Sequence, residues 1–204
     1  MAVSNVVANP AVNRMEYLSL FRMPTPMKIT GRSSSITNAF INSIIPVVPP
    51  SAEDVKQALE ILGMPPGIFQ CAYCGGIASE WDHLRPLVKD KKPTGYISEI
   101  HNLVPSCGKC NQSKGNKEWK AWMISKAALS PTARGIQDVS ERIKRLEAYE
   151  NWCVPTKMDF EAIVGKDVWS LHLQNLERVQ SLMRESQELA AKINLRVASA
   201  YKAL

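Results

Sequence analysis

The chain has 204 residues, with 25 Lys and Arg against 19 Asp and Glu, a net charge of +6 and a pI near 9.1. That length holds one core of ordinary size or one small module with helical extensions, and no run approaches the roughly 18 consecutive apolar residues of a membrane span. The opening residues, Met1 to Pro10, lack the charged start and apolar run of a secretory leader, so a soluble, intracellular protein with reduced thiols is expected.

The charge is unevenly placed. Residues 1–50 carry four Lys and Arg against one acid and residues 71–126 carry nine against five, whereas residues 127–204 are nearly balanced at eleven against ten. The basic excess sits where it would attract a phosphate backbone.

In chain order, the first thirty residues are punctuated by Pro10, Pro24 and Pro26, which predicts an irregular arm. Ile36, Phe40, Ile41, Ile44 and Ile45 recur at helical spacing up to Pro46, with a serine of Ser33-Ser34-Ser35 as N-cap. A second helix starts at Ser51, where Ser51 and Asp54 have capping-box spacing, and stops at Gly63. Val55, Ala58, Leu59 and Leu62 form its buried face.

Cys71 to Gly76 reads as a knuckle, its glycines letting the chain reverse around a thiolate. Ile77 to Pro86 follows as a strand, Lys89 to Gly95 as a polar loop, Asn102 to Pro105 as a second strand and Asn111 to Lys126 as a helix. Beyond residue 130 the chain is expected to be helical, with Ile136, Val139, Ile143, Leu146 and Tyr149 three and four apart. From Leu176, the positions Val179, Met183, Ser186, Ala190, Ile193, Val197 and Ala200 alternate steps of three and four. Such a stripe suits a long helix packed on its own domain, or a coiled-coil seam between two copies.

The chemistry concentrates in the middle of the chain. Cys71-Ala-Tyr-Cys74 and Cys107-Gly-Lys-Cys110 are two C-x-x-C hooks separated by thirty-two residues, the ligand count and spacing of a closed tetrahedral zinc site. Disulfide frameworks belong to small secreted chains and fit this one poorly. A four-thiolate site has no open position, so the zinc is expected to be scaffold. Cys153 has no partner at hook spacing and reads as a small buried hydrophobe.

Asp82 offers a carboxylate and Asn111 an amide oxygen, ligands suited to Mg²⁺ or Mn²⁺ with sites left open. His83, beside Asp82, can take a proton from water near neutral pH. Adjacent strand residues point to opposite faces, so the two act together only where the strand ends or twists.

The ordered set Asp82-His83-Leu84-Arg85-Pro86, then Asn102-Leu-Val-Pro-Ser-Cys107-Gly-Lys-Cys110-Asn111-Gln-Ser-Lys114-Gly115, resembles the HNH endonuclease family and its ββα-metal fold over about fifty residues. The resemblance implies His83 as general base, Asp82 and Asn111 as ligands of the catalytic metal, and Asn102 as the residue that bridges the loop and orients the base. It casts Lys114 as a phosphate contact; Arg85, as a clamp on a non-bridging phosphate oxygen, and Lys117 are the other expected DNA contacts. Asn111 stands where the third letter of the family name is His, a variant that leaves the metal preference open.

The expected fold is α+β: a small ββα-metal module with a four-cysteine zinc site, flanked by N-terminal and C-terminal helices and mostly helical overall. The expected divisions are 1–68, 69–126 and 127–204. The resemblance implies a DNA endonuclease with one structural Zn²⁺ and one catalytic Mg²⁺ or Mn²⁺, acting on double-stranded DNA with no membrane partner. It is similar to HNH-type restriction enzymes, for which a two-fold homodimer would supply one active site per strand. A phage or mobile-element nicking nuclease and a catalytically inactive zinc-dependent DNA-binding module are the alternatives.

Overall fold

A computed structural model describes residues 19–202. The earlier part of the expected irregular arm lies outside them, and residues 21–28 have no regular structure. No helix among the described residues is long and apolar enough to cross a membrane.

A 3-10 turn, Ile29–Arg32, leads into α1, Ser33–Asn42. No serine side chain caps α1. The Ser33 hydroxyl donates to the Thr30 carbonyl at 2.8 Å instead, because the preceding turn already puts the chain in helical geometry. Helix α2, Ala52–Ile61, has the expected capping box: the Asp54 amide donates to Ser51 Oγ, and the Asp54 carboxylate accepts from the Ser51 amide. Gly63, at φ +72°, ends it. The Gly63 and Met64 amides donate to the Glu60 and Leu59 carbonyls, the paired bonds of a Schellman motif.

The central module is built on β1, Glu80–His83, paired antiparallel with β4, Leu103–Ser106, so that Asp82 faces Val104 and His83 faces Leu103. Between them the expected loop contains a small hairpin, β2 (Val88–Lys89) and β3 (Lys92–Pro93). Asp90 and Lys91 turn it, both at positive φ (50° and 62°), as a type I′ turn requires. A 3-10 turn, Ile100–Asn102, then enters β4. Strand, strand and helix follow in the expected order, but the helix is broken. α3 covers Gly108–Lys114 and α4 covers Trp119–Met123. Gly115 separates them at φ 52° and ψ −125°, a conformation closed to residues with a Cβ. Glu118 caps α4, accepting from the Lys120 and Ala121 amides.

Three further helices follow among the described residues: α5 (Val139–Trp152), α6 (Phe160–Val164) and α7 (Lys166–Lys202). The larger core joins α2, the knuckle, β1, β4, α4 and α5 through Ala58, Tyr73, Leu84, Val104, Trp122 and Leu146. The smaller core joins α1, the hairpin and α6 through Ile41, Ile45, Leu87, Ile97 and Phe160. Trp119 and Trp122 are core residues, and Trp169 packs on the smaller cluster. Cys153 is only partly buried.

The first half of α7 returns to the module. His172 Nε2 lies 3.0 Å from the Phe40 carbonyl oxygen, and Gln180 Nε2 donates to Thr37 Oγ1 at 2.8 Å. Both Thr37 and Gln180 are buried, and this bond fixes α1 against α7. Past Ala190 the helix is exposed, including the seam positions Ile193 and Val197.

Candidate metal cluster and polar cleft

The first hook closes as a knuckle. The Cys71 amide donates to the Gly76 carbonyl and the Gly75 amide to the Cys71 carbonyl, with Gly75 at φ +75°. The second hook opens α3, with Cys107 as its N-cap. The Sγ atoms of Cys71, Cys74, Cys107 and Cys110 all lie within 4.8 Å of one another. Cys74 and Cys107 are 3.8 Å apart, the edge expected of a tetrahedron with Zn–S bonds of about 2.3 Å. Crowding splits the thiols: hydrogen bonds from Cys110 and Cys71 drive Cys74 far down, while those from Cys71 and Cys74 drive Cys110 up. The donor set and its size fit zinc. Arg134 Nη1 donates to Cys110 Sγ at 3.3 Å, which offsets part of the negative charge of clustered thiolates.

Asp82, His83 and Asn111 open onto one cleft of about 480 Å³. His83 is the last residue of β1, so the chain leaves the pleat there and both side chains reach the same space. Asn111 follows Cys110 in α3, so the thiolate cluster and the cleft share a backbone.

Asp82 is buried at 5% exposure. Its Oδ2 accepts from the Tyr73 hydroxyl at 2.6 Å and lies 3.1 Å from Lys114 Nζ, while Oδ1 accepts from Lys114 at 3.3 Å. Burial pushes the Asp82 carboxyl up and the Lys114 ammonium down, against the attraction that favours both charges. A carboxylate has about four lone-pair directions, so Asp82, which lines the cleft, keeps acceptor capacity beyond its bonds to Tyr73 and Lys114. With the Asn111 amide oxygen, this is a donor set compatible with a hard divalent ion.

His83 Nε2 lies 2.7 Å from Ser98 Oγ. Burial, with Lys114 nearby, lowers its pKa to about 4. If Ser98 accepts from Nε2–H, the lone pair resides on Nδ1. Asn102, fully buried, accepts the Arg85 amide at 2.8 Å and donates to the Arg85 carbonyl at 3.0 Å, tying down the chain after β1. Asn102 thereby bridges the loop after β1, while the side chain that touches His83 is Ser98.

Two of the expected phosphate contacts are placed elsewhere. Lys114 has 0% exposure and donates to Asp82, to the His83 carbonyl at 2.8 Å and to the Gly115 carbonyl at 3.2 Å; Asp82 and these two carbonyls draw its ammonium inward, away from any phosphate. Arg85 pairs with Glu150 of α5 at 3.1 Å and stacks over Tyr96, outside the cleft. Lys117 is exposed, donating to the Ser113 carbonyl at 2.7 Å. His101 packs on Trp152, ring centroids 4.8 Å apart, also outside the cleft.

Tyr73, Ser98 and Arg134 escaped the sequence patterns. Tyr73 carried a local signal, since it lies between two cysteine ligands. Ser98 and Arg134 had none, because only the fold brings them to His83 and Cys110.

Residues 71–117 match the family model described as HNH endonuclease. The chain is also similar to a CRISPR-associated endonuclease Cas9 of Corynebacterium diphtheriae, 34% identical over 93 residues. That stretch is 44% of this chain and 7% of the relative, so the chain spans a small fraction of that protein's length. No solved structure matches the chain. The segment that carries both cysteine hooks, Asp82, His83, Asn102 and Asn111 is thus a segment of the HNH endonuclease family.

Proposed function

We propose that this chain is a metal-dependent DNA endonuclease, with residues 69–126 as the nuclease module and the segments 1–68 and 127–204 as its flanks. The observation that carries it is the convergence of Asp82, His83 and Asn111 on one cleft, in a segment matching HNH endonucleases.

In this reading His83 Nδ1 takes a proton from a water as the water oxygen attacks phosphorus, and Ser98 holds the ring through Nε2. The bond from phosphorus to the departing sugar oxygen breaks, and that oxygen leaves with a proton from solvent. A Mg²⁺ or Mn²⁺ ion held by Asp82 and Asn111 would neutralise charge on the phosphate. Asn102 fixes the chain after β1, and Tyr73 and Lys114 fix the Asp82 carboxylate. Lys117 is retained as a phosphate contact. The low pKa of His83 keeps the imidazole neutral at physiological pH, as a base requires.

A restriction-like or defence role is the finer proposal, with α7 offering its exposed seam to a second copy in a two-fold dimer. A nicking nuclease would instead act as a monomer on DNA. Incubating purified protein and supercoiled plasmid with Mg²⁺ or Mn²⁺ tests the nuclease reading: nicked or linear product is expected. Gel-shifted but uncut DNA with both ions would favour a non-catalytic binding module.

A further inference from the structure

Part of the lining of the cleft that holds His83 and Asp82 comes from α1, a helix outside the segment matched to HNH endonucleases. Ser34, Asn38 and Asn42 lie at four-residue intervals on one face of α1, are exposed, and line the same cleft as Asp82, His83 and Asn111. Residues four apart share a helix face, so these side chains form a single stripe along the cleft. Among the described residues the two amides have no hydrogen-bond partner, although each has two donors and an acceptor with two lone pairs.

The stripe is rigidly mounted. Beside it, Thr37 and Gln180 of α7 also line the cleft and are buried, Thr37 accepting from Gln180; Ile41 is buried in the smaller core, and the Phe40 carbonyl meets His172. It is also uncharged, unlike the hairpin side of the cleft, where Lys91 stands. Phosphates are gripped chiefly by cations and backbone amides, whereas a side-chain amide matches the paired donor and acceptor of a base edge, adenine above all.

We propose that α1 is the specificity element of this nuclease, with Asn38 and Asn42 hydrogen-bonding base edges of the nucleotides beside the cleaved phosphate. The assignment rests on the nuclease reading. Lys91 and Lys117 would hold the backbone, and the amides would discriminate between bases.

The test is cleavage of a random-sequence DNA library with Mn²⁺, followed by end sequencing, for the wild type, Asn38→Ala, Asn42→Ala, Asn38→Asp and the control Ser35→Ala. Ser35 is exposed on α1 but does not line the cleft. Matched melting temperature and zinc content establish that each variant is folded, as expected for exposed positions. The wild type should show a nucleotide bias next to the cut. Each Asn→Ala variant should relax that bias and slow cutting of the preferred sequence by about tenfold, Asn38→Asp should slow it more, and Ser35→Ala should match the wild type. An unbiased wild type, or Asn variants with unchanged bias, would overturn the specificity role while leaving the nuclease reading intact. A wild type that cuts no DNA would overturn the nuclease reading and this one with it.

Discussion

Tyr73 donates its hydroxyl hydrogen to Asp82 at 2.6 Å, joining the middle of the first cysteine hook to the carboxylate on β1. The Tyr73 ring is fully buried and meets Trp122 edge-on at 5.3 Å. The cluster that organises the knuckle therefore also sets the position of a proposed catalytic ligand. Tyr73→Phe keeps the ring and removes the bond. A hydrogen bond to a charged, buried carboxylate contributes about 2 kcal/mol, so the variant should melt lower, retain its zinc and cut about tenfold more slowly. Thermal melts, zinc analysis and cleavage rates on one preparation check this.

Lys114 is the buried counter-charge of Asp82. Lys114→Met should destabilise the fold by about 3 kcal/mol, because it strands a buried carboxylate. Adding Asp82→Asn removes that charge and should recover much of the lost stability. Denaturant unfolding of the two single variants and the double variant measures the coupling; strictly additive effects would show that the pair is not an energetic unit.

Ser98 Oγ lies 2.7 Å from His83 Nε2 and, in the proposed mechanism, accepts from Nε2–H. Ser98→Ala should lower the cleavage rate about tenfold with DNA affinity unchanged, and Ser98→Thr should restore most of it. If Ser98→Ala cuts at the wild-type rate, the ring is held by packing alone.

The acid limb of cleavage follows from His83, whose pKa is lowered by burial to about 4. A base works when neutral, so activity is lost as pH falls through that value. Cutting should therefore persist at pH 5.5, where a solvent-exposed histidine, with a pKa near 6.5, would be largely protonated. A pH–rate profile that falls already near pH 6.5 would contradict the burial effect.

Structural zinc contributes folding free energy directly, on the order of 10 kcal/mol in small zinc modules. Cys110→Ala should unfold the module in circular dichroism and lose the metal. Arg134→Ala, which removes a donor to the thiolates of Cys110 and Cys74 but no metal ligand, should stay folded but release zinc to a chelator sooner.

The parts legible in the sequence were those set by local spacing. The cysteine hooks, the Ser51–Asp54 capping box, the strand-strand-helix order and the shared cleft of Asp82, His83 and Asn111 all follow from residues close in sequence or from a fixed motif. Gly115 was visible as a glycine, but its backbone conformation, which splits the expected helix, depends on α4 folding back so that Trp122 Nε1 can donate to Ser113. The β2–β3 turn was hidden because Asp90-Lys91 lacks the glycine that usually marks it. Lys114 looked like a surface cation, and its burial follows from Asp82, thirty-two residues away. The cleft wall was least legible, since the bond that mounts α1 joins Thr37 to Gln180 across 143 residues.

His83→Ala tests the central claim most directly. Plasmid cleavage with Mn²⁺ and binding to the same DNA should be measured on the wild type and on this variant, with zinc content confirming that both are folded. The expected result is a cleavage rate lowered at least about a hundredfold with unchanged DNA affinity. Near-normal cutting by His83→Ala would contradict the account, because the base would then be another group.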